Sequence, residues 1–144
     1  MSLPAVVFPI GRDRYAIRAT DVREVLSTPI PTRLPTAPAL LLGLFNLRGE
    51  VVPLFDTAAL LGVGHSAVGA AVIVVTTASG PAGLVASGIP TVMELGEAMR
   101  PSELRGTLGT YAVDGDIAVL VDVEALVVIH TASPRAELDA LVLQ

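Results

Sequence analysis

Laid over itself at an offset of about 66 residues, the sequence repeats, and no other feature narrows the possible folds as far. The segment from Gly43 to Leu61, GLFNLRGEVVPLFDTAALL, runs over Gly109 to Val127, GTYAVDGDIAVLVDVEALV. Gly43 meets Gly109, Gly49 meets Gly115, Leu54 meets Leu120 and Asp56 meets Asp122, while Phe45/Tyr111, Glu50/Asp116 and Val51/Ile117 are conservative pairs. Upstream the correspondence holds one residue out of step: Val6-Val7-Phe8 lies over Ile73-Val74-Val75, Val22 over Ile89 and Val25 over Val92. The slip therefore falls between Leu95 and Gly109. Two copies are too few for a solenoid and suit two small packed lobes. The chain is thus expected to be a single domain over 1–144, with halves of about 5–66 and 71–132 and a C-terminal helix over about 133–143.

Each half is written in short alternating runs of β-branched and aliphatic residues. Ala5 to Ile10, Tyr15 to Arg18, Gly43 to Leu47 and Glu50 to Phe55 read as strands in the first half. Ala71 to Thr77, Gly83 to Ala86, Tyr111 to Val113 and Ile117 to Val121 do so in the second. Val113-Asp114-Gly115-Asp116 is a hairpin signal, because Asp-Gly tolerates the positive φ of a type I′ turn. Leu47-Arg48-Gly49-Glu50 occupies the same place with arginine in the first central position. Asp56 and Asp122 each close a strand ahead of a short apolar run, where an N-capping carboxylate starts a helix. Ser133-Pro134 places a cap before a proline at a first helical position, with Leu138, Leu141 and Val142 at helical spacing beyond it. Pro29, Pro31, Pro35 and Pro38 mark an extended connection inside the first half. The reading is mostly β, with short helices, and barrel-like closure of each half would hide its strand edges.

What such a scaffold can do is bounded by its composition. A formal net charge of -5 opposes nucleic-acid binding, which needs a basic surface. With no cysteine there is no disulfide, thiolate metal site or cysteine nucleophile. No apolar run reaches the ~18 residues of a membrane span, and the start lacks the pattern of a signal peptide, so a cytoplasmic location without direct membrane insertion is expected. No cofactor or metal site is expected either. His65 and His130 are the sole histidines and neither has a spaced partner, while Gly62-Val63-Gly64 with Gly69 precedes a strand and does not match a dinucleotide fingerprint.

One enzymatic alternative is worth weighing. Leu54-Phe55-Asp56-Thr57-Ala58 in a duplicated β chain is the pattern of an aspartic protease, whose paired carboxylates share a proton. The second copy, Asp122-Val123-Glu124, lacks the hydroxyl and the small residue that hold such a dyad, whereas capping accounts for both aspartates. Positions alike in both copies serve the half-fold, and those that differ are free for other work. Arg48 opposes Asp114: it is either a solvated turn residue or a rigidly presented guanidinium fork. Val22, Val25, Ile89 and Val92 either belong to the core or line an apolar groove between the lobes, with Glu24 on its rim.

The run Asn46-Leu-Arg-Gly-Glu-Val-Val-Pro-Leu-Phe-Asp56 resembles the signature of the CheW-like chemotaxis coupling family. Gly43, Val7-Phe8 with Gly11 and Tyr15, Gly83-Leu84-Val85, and Asp114-Gly115 followed by Ile117 to Asp122 support it, so that the likeness runs from about Val6 to Val127. The resemblance implies two interlocked five-stranded SH3-like β-barrels related by the duplication, and a non-enzymatic adaptor. Such adaptors join the helical cytoplasmic tips of chemoreceptors (methyl-accepting chemotaxis proteins) to the regulatory domain of a CheA-type histidine kinase, in the cytoplasm at membrane receptor arrays. Related scaffolds serve pilus motility or other signalling systems. Carried over residue by residue, the resemblance implies receptor contacts at Val22, Glu24, Val25, Arg48, Ile89 and Val92, and kinase contacts at Arg100 and Leu104. This chain departs from the family by having Ala86-Ser87 and Thr91 where acidic residues are usual, and Pro90 between them.

Overall fold

A computed structural model describes residues 2–35, 39–66 and 69–127. The expected C-terminal helix over 133–143 and His130 lie outside the described residues. Among these residues the elements follow in the order β1 (Leu3–Ile10), β2 (Asp13–Arg18), β3 (Val22–Ser27), β4 (Leu41–Leu47), β5 (Glu50–Phe55), the short helix α1 (Thr57–Leu61), β6 (Ala71–Thr77), β7 (Gly80–Ala86), β8 (Thr91–Leu95), β9 (Ala98–Arg100), β10 (Thr107–Val113) and β11 (Asp116–Val121). A 3-10 turn at Ala19–Asp21 leads into β3, and residues 123–127 are helical. The sequence-predicted strands are all present. Strands β3, β8 and β9 add to them.

The strands form two sheets, ordered β3-β6-β7-β5-β4 and β8-β1-β2-β11-β10-β9. Under the repeat, β1 to β5 correspond to β6, β7, β8, β10 and β11, so the two orders are the same order. The membership departs from closure of each half on itself and follows the interlocking that the family resemblance implies. Strands β3, β4 and β5 of the first half join β6 and β7 of the second, and β1 and β2 of the first join β8, β10 and β11 of the second. Each lobe therefore takes strands from both copies, and the halves are interlocked.

Each sheet also brings its own edges together. Past β3, Thr32 exchanges two hydrogen bonds with Leu44 of β4, at 2.7 and 2.9 Å. Past β8, Gly96 N–H donates to the Ala112 carbonyl (2.8 Å), Ala112 N–H donates to that of Glu97 (3.1 Å), and Arg100 then pairs with Thr110. Glycine is required where the closing segment crosses. A Cβ on Gly43 would lie 2.5 Å from the Thr32 carbonyl oxygen, and one on Gly109 would lie 3.0 Å from that of Arg100.

Both faces of the central strands are buried, which is why β1 and β6 are nearly continuous apolar runs. Three clusters result. Ala5, Val7, Ala16, Leu95, Val113, Ala118 and Leu120 fill the second lobe, and Phe45, Leu47, Val52, Leu54, Val72, Val74 and Val85 fill the first. Between the lobes lies a third cluster that contains both members of several repeat pairs, among them Val6/Ile73, Phe8/Val75, Ile17/Leu84, Phe55/Val121 and Leu60/Leu126. An interface lined by repeat mates is what a pseudo-twofold arrangement produces. It fixes the two lobes as one body.

Candidate functional site

Arg48 stands at the tip of the β4–β5 hairpin with a left-handed φ of 51°, followed by Gly49 at 87°. Two positive φ angles in succession make the tight turn whose twist suits a hairpin. The Asn46 side-chain oxygen accepts the Gly49 N–H at 2.9 Å and pins the turn. From there the guanidinium reaches across the lobe to Glu24 on β3, and in the opposite sense Arg23 of β3 pairs with Glu50 at 2.7 Å. Strands β3 and β4 are the two edges of their sheet, so these crossed pairs clamp the edges together outside the backbone closure. Arg48 holds the Glu24 carboxyl below its ordinary pKa, chiefly by the hydrogen bond and further by its charge. The Arg48 side chain stays 64% exposed, open to other groups.

The apolar candidates fall on the rims of the inter-lobe core. Val22 and Val25 are three residues apart, and in a regular strand they would point to opposite faces. A bulge between Val22 and Glu24 instead pairs Val22 with Val75 and Val25 with Ile73, so both point to the face that carries the central cluster. Val22 is half-buried against that cluster, while Val25 is 44% exposed. On the other lobe Val92 pairs with Val6, again the face of the central cluster, and is 75% exposed; Ile89 is 81% exposed just ahead of β8. The structure thus joins Glu24 directly to Arg48 and places Val22, Val25 and Val92 on corresponding edge strands of the two lobes.

The kinase-face candidates separate. Arg100, exposed at the end of β9, shares a depression of about 200 Å³ with Met99, Pro101, Leu108 and Tyr111. Leu104 is half-buried and packs on the central cluster, so it is not part of that depression. Met99 and Leu108 are exposed apolar neighbours of Arg100 that the sequence reading missed. The repeat does not flag Leu108, since its mate Leu42 is half-buried against the core of the first lobe.

Asp56 and Asp122 are helix caps. The Asp56 Oδ1 accepts the N–H groups of Ala59 (3.2 Å) and Ser66 (2.8 Å), Oδ2 meets His65 Nδ1 at 3.3 Å, and Asp122 Oδ1 accepts the Ala125 N–H at 3.1 Å. Burial pushes the Asp56 pKa up, but the hydrogen bonds from Ser66, Ala59 and His65 outweigh it and hold the carboxyl below its ordinary value. A carboxylate so engaged is a structural anion, not the shared-proton partner of a dyad. Among the described residues no three His, Cys, Asp or Glu gather as a metal site, and no helix is long and apolar enough to cross a membrane.

The CheW-like domain family matches residues 4–129. The chain belongs to that family. It is 31% identical over 132 residues to the chemotaxis protein CheW of Klebsiella aerogenes, covering 84% of this chain and 79% of that one. To the chemotaxis protein CheW of Rhizobium meliloti it is 27% identical over 131 residues, covering 84% of each. The crystal structure of the scaffolding protein TtCheW from Thermoanaerobacter tengcongensis superimposes with a TM-score of 0.78 over 88% of this chain and 92% of that one, at 24% identity.

In this CheW-like chain the departures at the second wall have definite places. Ala86 is buried at the end of β7, and the Ser87 N–H donates to the Pro9 carbonyl at 3.2 Å. Thr91 opens β8 beside Val7. The β8 wall therefore has no acid at the position equivalent to Glu24, and its own carboxylate, Glu94, stands two residues beyond Val92 on the same face.

Proposed function

We propose that this CheW-like chain is a non-enzymatic adaptor that joins the helical cytoplasmic tip of a chemoreceptor to the regulatory domain of a CheA-type histidine kinase. One observation carries the reading: two dissimilar surfaces, each apolar with an arginine, stand on a single body made rigid by interlocked sheets. The first comprises Val25, Ile89 and Val92 with the Arg48–Glu24 pair. The second comprises Met99, Arg100 and Leu108. Apolar side chains on edge strands with a charged rim suit an amphipathic helix, while an arginine flanked by aliphatic groups suits another folded domain.

Coupling on this reading is mechanical. Interlocking leaves no hinge between the lobes, so an orientation imposed on one surface is imposed on the other. Each contact is small and weak alone, and repetition in a cytoplasmic assembly at the membrane multiplies it.

The test is a calorimetric titration of the chain with the regulatory domain of a CheA-type kinase from the same organism, repeated with Arg100→Glu. Micromolar binding that the substitution removes supports the adaptor. Binding unaffected by the substitution moves the kinase to another face, and no binding to any such kinase overturns the reading.

A further inference from the structure

The two lobes are built alike but their mouths are not. In the first, Arg48 and Glu50 of the hairpin are tied to Glu24 and Arg23 of the edge strand. The equivalent positions in the second are Asp114 and Asp116 on the hairpin, and Thr91 and Pro90 on the edge. Strand register supports the equivalence, since Glu24 pairs with Val74 and Thr91 with Val7, and Val74 and Val7 are themselves repeat mates. The second hairpin thus presents carboxylates to an edge strand that has lost both charges. Asp116 turns instead to Arg14, at 3.5 Å, and among the described residues Asp114 has no ion-pair partner. In place of a clamp the second mouth has a pocket of about 400 Å³, whose lining includes Phe8, Pro9, Ile89 and Met93, with Arg14 and Asp114 as its charged members.

We infer that this pocket receives an arginine side chain from a partner polypeptide. Its guanidinium pairs with Asp114, and its aliphatic stem lies along Ile89 and Met93. Arginine suits the site better than lysine, because a planar fork matches a carboxylate in two bonds and its weaker hydration tolerates an apolar wall. The first lobe shows the same device completed internally: there the hairpin carries the cation and the edge strand carries the acid. In the second lobe the acid is on the hairpin, the pocket's own cation, Arg14, is engaged with Asp116, and the cation for Asp114 is supplied from outside. The inference goes beyond the adaptor reading, since it fixes the chemistry of a contact whichever protein brings it.

The experiment is an NMR titration of the isotope-labelled full chain with N-acetyl-arginine methylamide, with the neutral N-acetyl-citrulline methylamide as control. Saturable shifts at the amides of Ile89, Thr91, Met93 and Asp114 are expected with arginine and not with citrulline. Asp114→Asn, which keeps a residue tolerant of left-handed backbone, should weaken binding about fivefold or more. Thr91→Glu, which restores the edge carboxylate of the first lobe, should tighten it. Absence of shifts, equal shifts with citrulline, or indifference to both substitutions would overturn the inference. No kinase or receptor enters this experiment, so its failure is separate from failure of the adaptor reading.

Discussion

Arg48 and Asp114, one from each copy of the repeat, share a left-handed φ of 51°. The backbone of the two hairpins is therefore the same, and the residue that occupies it is not. Aspartate visits this region at little cost, whereas a long side chain with a Cβ gives up roughly 1 kcal/mol there. Arg48 is retained against its own backbone, held by the Asn46–Gly49 hydrogen bond and by Glu24. Strain kept at one of two equivalent places points to work done by the side chain.

Arg48→Gly accordingly should leave the denaturant midpoint close to that of the parent, because relief of strain offsets loss of an exposed ion pair. Receptor-dependent kinase stimulation in a reconstituted system should fall. Denaturant titration beside that assay separates the two effects, and a variant with unaltered stimulation would return Arg48 to the role of a turn residue.

The closing glycines should follow a definite order of sensitivity. Gly43→Ala pushes a Cβ to 2.5 Å from the Thr32 carbonyl oxygen at φ 150°, and that oxygen is fixed in the bridge to Leu44. Gly109→Ala meets Arg100 at 3.0 Å, while Gly49→Ala and Gly115→Ala meet open space and bear only the cost of positive φ. Urea unfolding should rank Gly43→Ala worst, at more than about 2 kcal/mol, and the two turn glycines mildest, near 1 kcal/mol.

Much of this was legible in the sequence wherever one copy could be read against the other. Asp114-Gly115 announced its turn and, through the repeat, the turn at Arg48; Asp56 and Asp122 announced their caps. The exchange of strands was implied by the family resemblance alone, because Val6-Val7-Phe8 and Ile73-Val74-Val75 offer a third strand chemically interchangeable partners. Strand β3 itself was obscured by its bulge, which sets Val22, Val25 and Leu26 at a spacing closer to helical than alternating. Arg100 is exposed at the end of β9, but no pattern said that Leu104 would turn inward and Leu108 outward.

Asp56 makes a pH-dependent contribution of known sign. Its carboxyl titrates below the ordinary value in the folded chain, so its stabilisation is complete above the unfolded pKa and is lost as pH falls through the folded one. Asp56→Ala should cost about 1–2 kcal/mol near neutral pH, since the Ala59 and Ser66 N–H groups lose their acceptor. Thermal unfolding of both proteins from about pH 6 downward should show that deficit shrinking below about pH 4. A deficit independent of pH would assign the effect to packing of the short helix alone.

Val22 and Val25 divide stability from recognition more sharply than any other pair. Val22 is half-buried against the inter-lobe core, so Val22→Asp places a carboxylate beside Val75 and against that core and should cost about 1–3 kcal/mol. Val25→Asp and Val92→Asp alter side chains that are 44% and 75% exposed, and should stay within about 1 kcal/mol of the parent. If the rims of the two lobes form one binding surface, both exposed variants lose a receptor-tip fragment in a pull-down or titration while unfolding cooperatively near the parent temperature. Loss from Val25→Asp alone would confine the contact to β3 and leave the β8 wall without a part in it. Retention by both would exclude the rims, because a charge on either side of so small an apolar strip could not be accommodated under a docked helix.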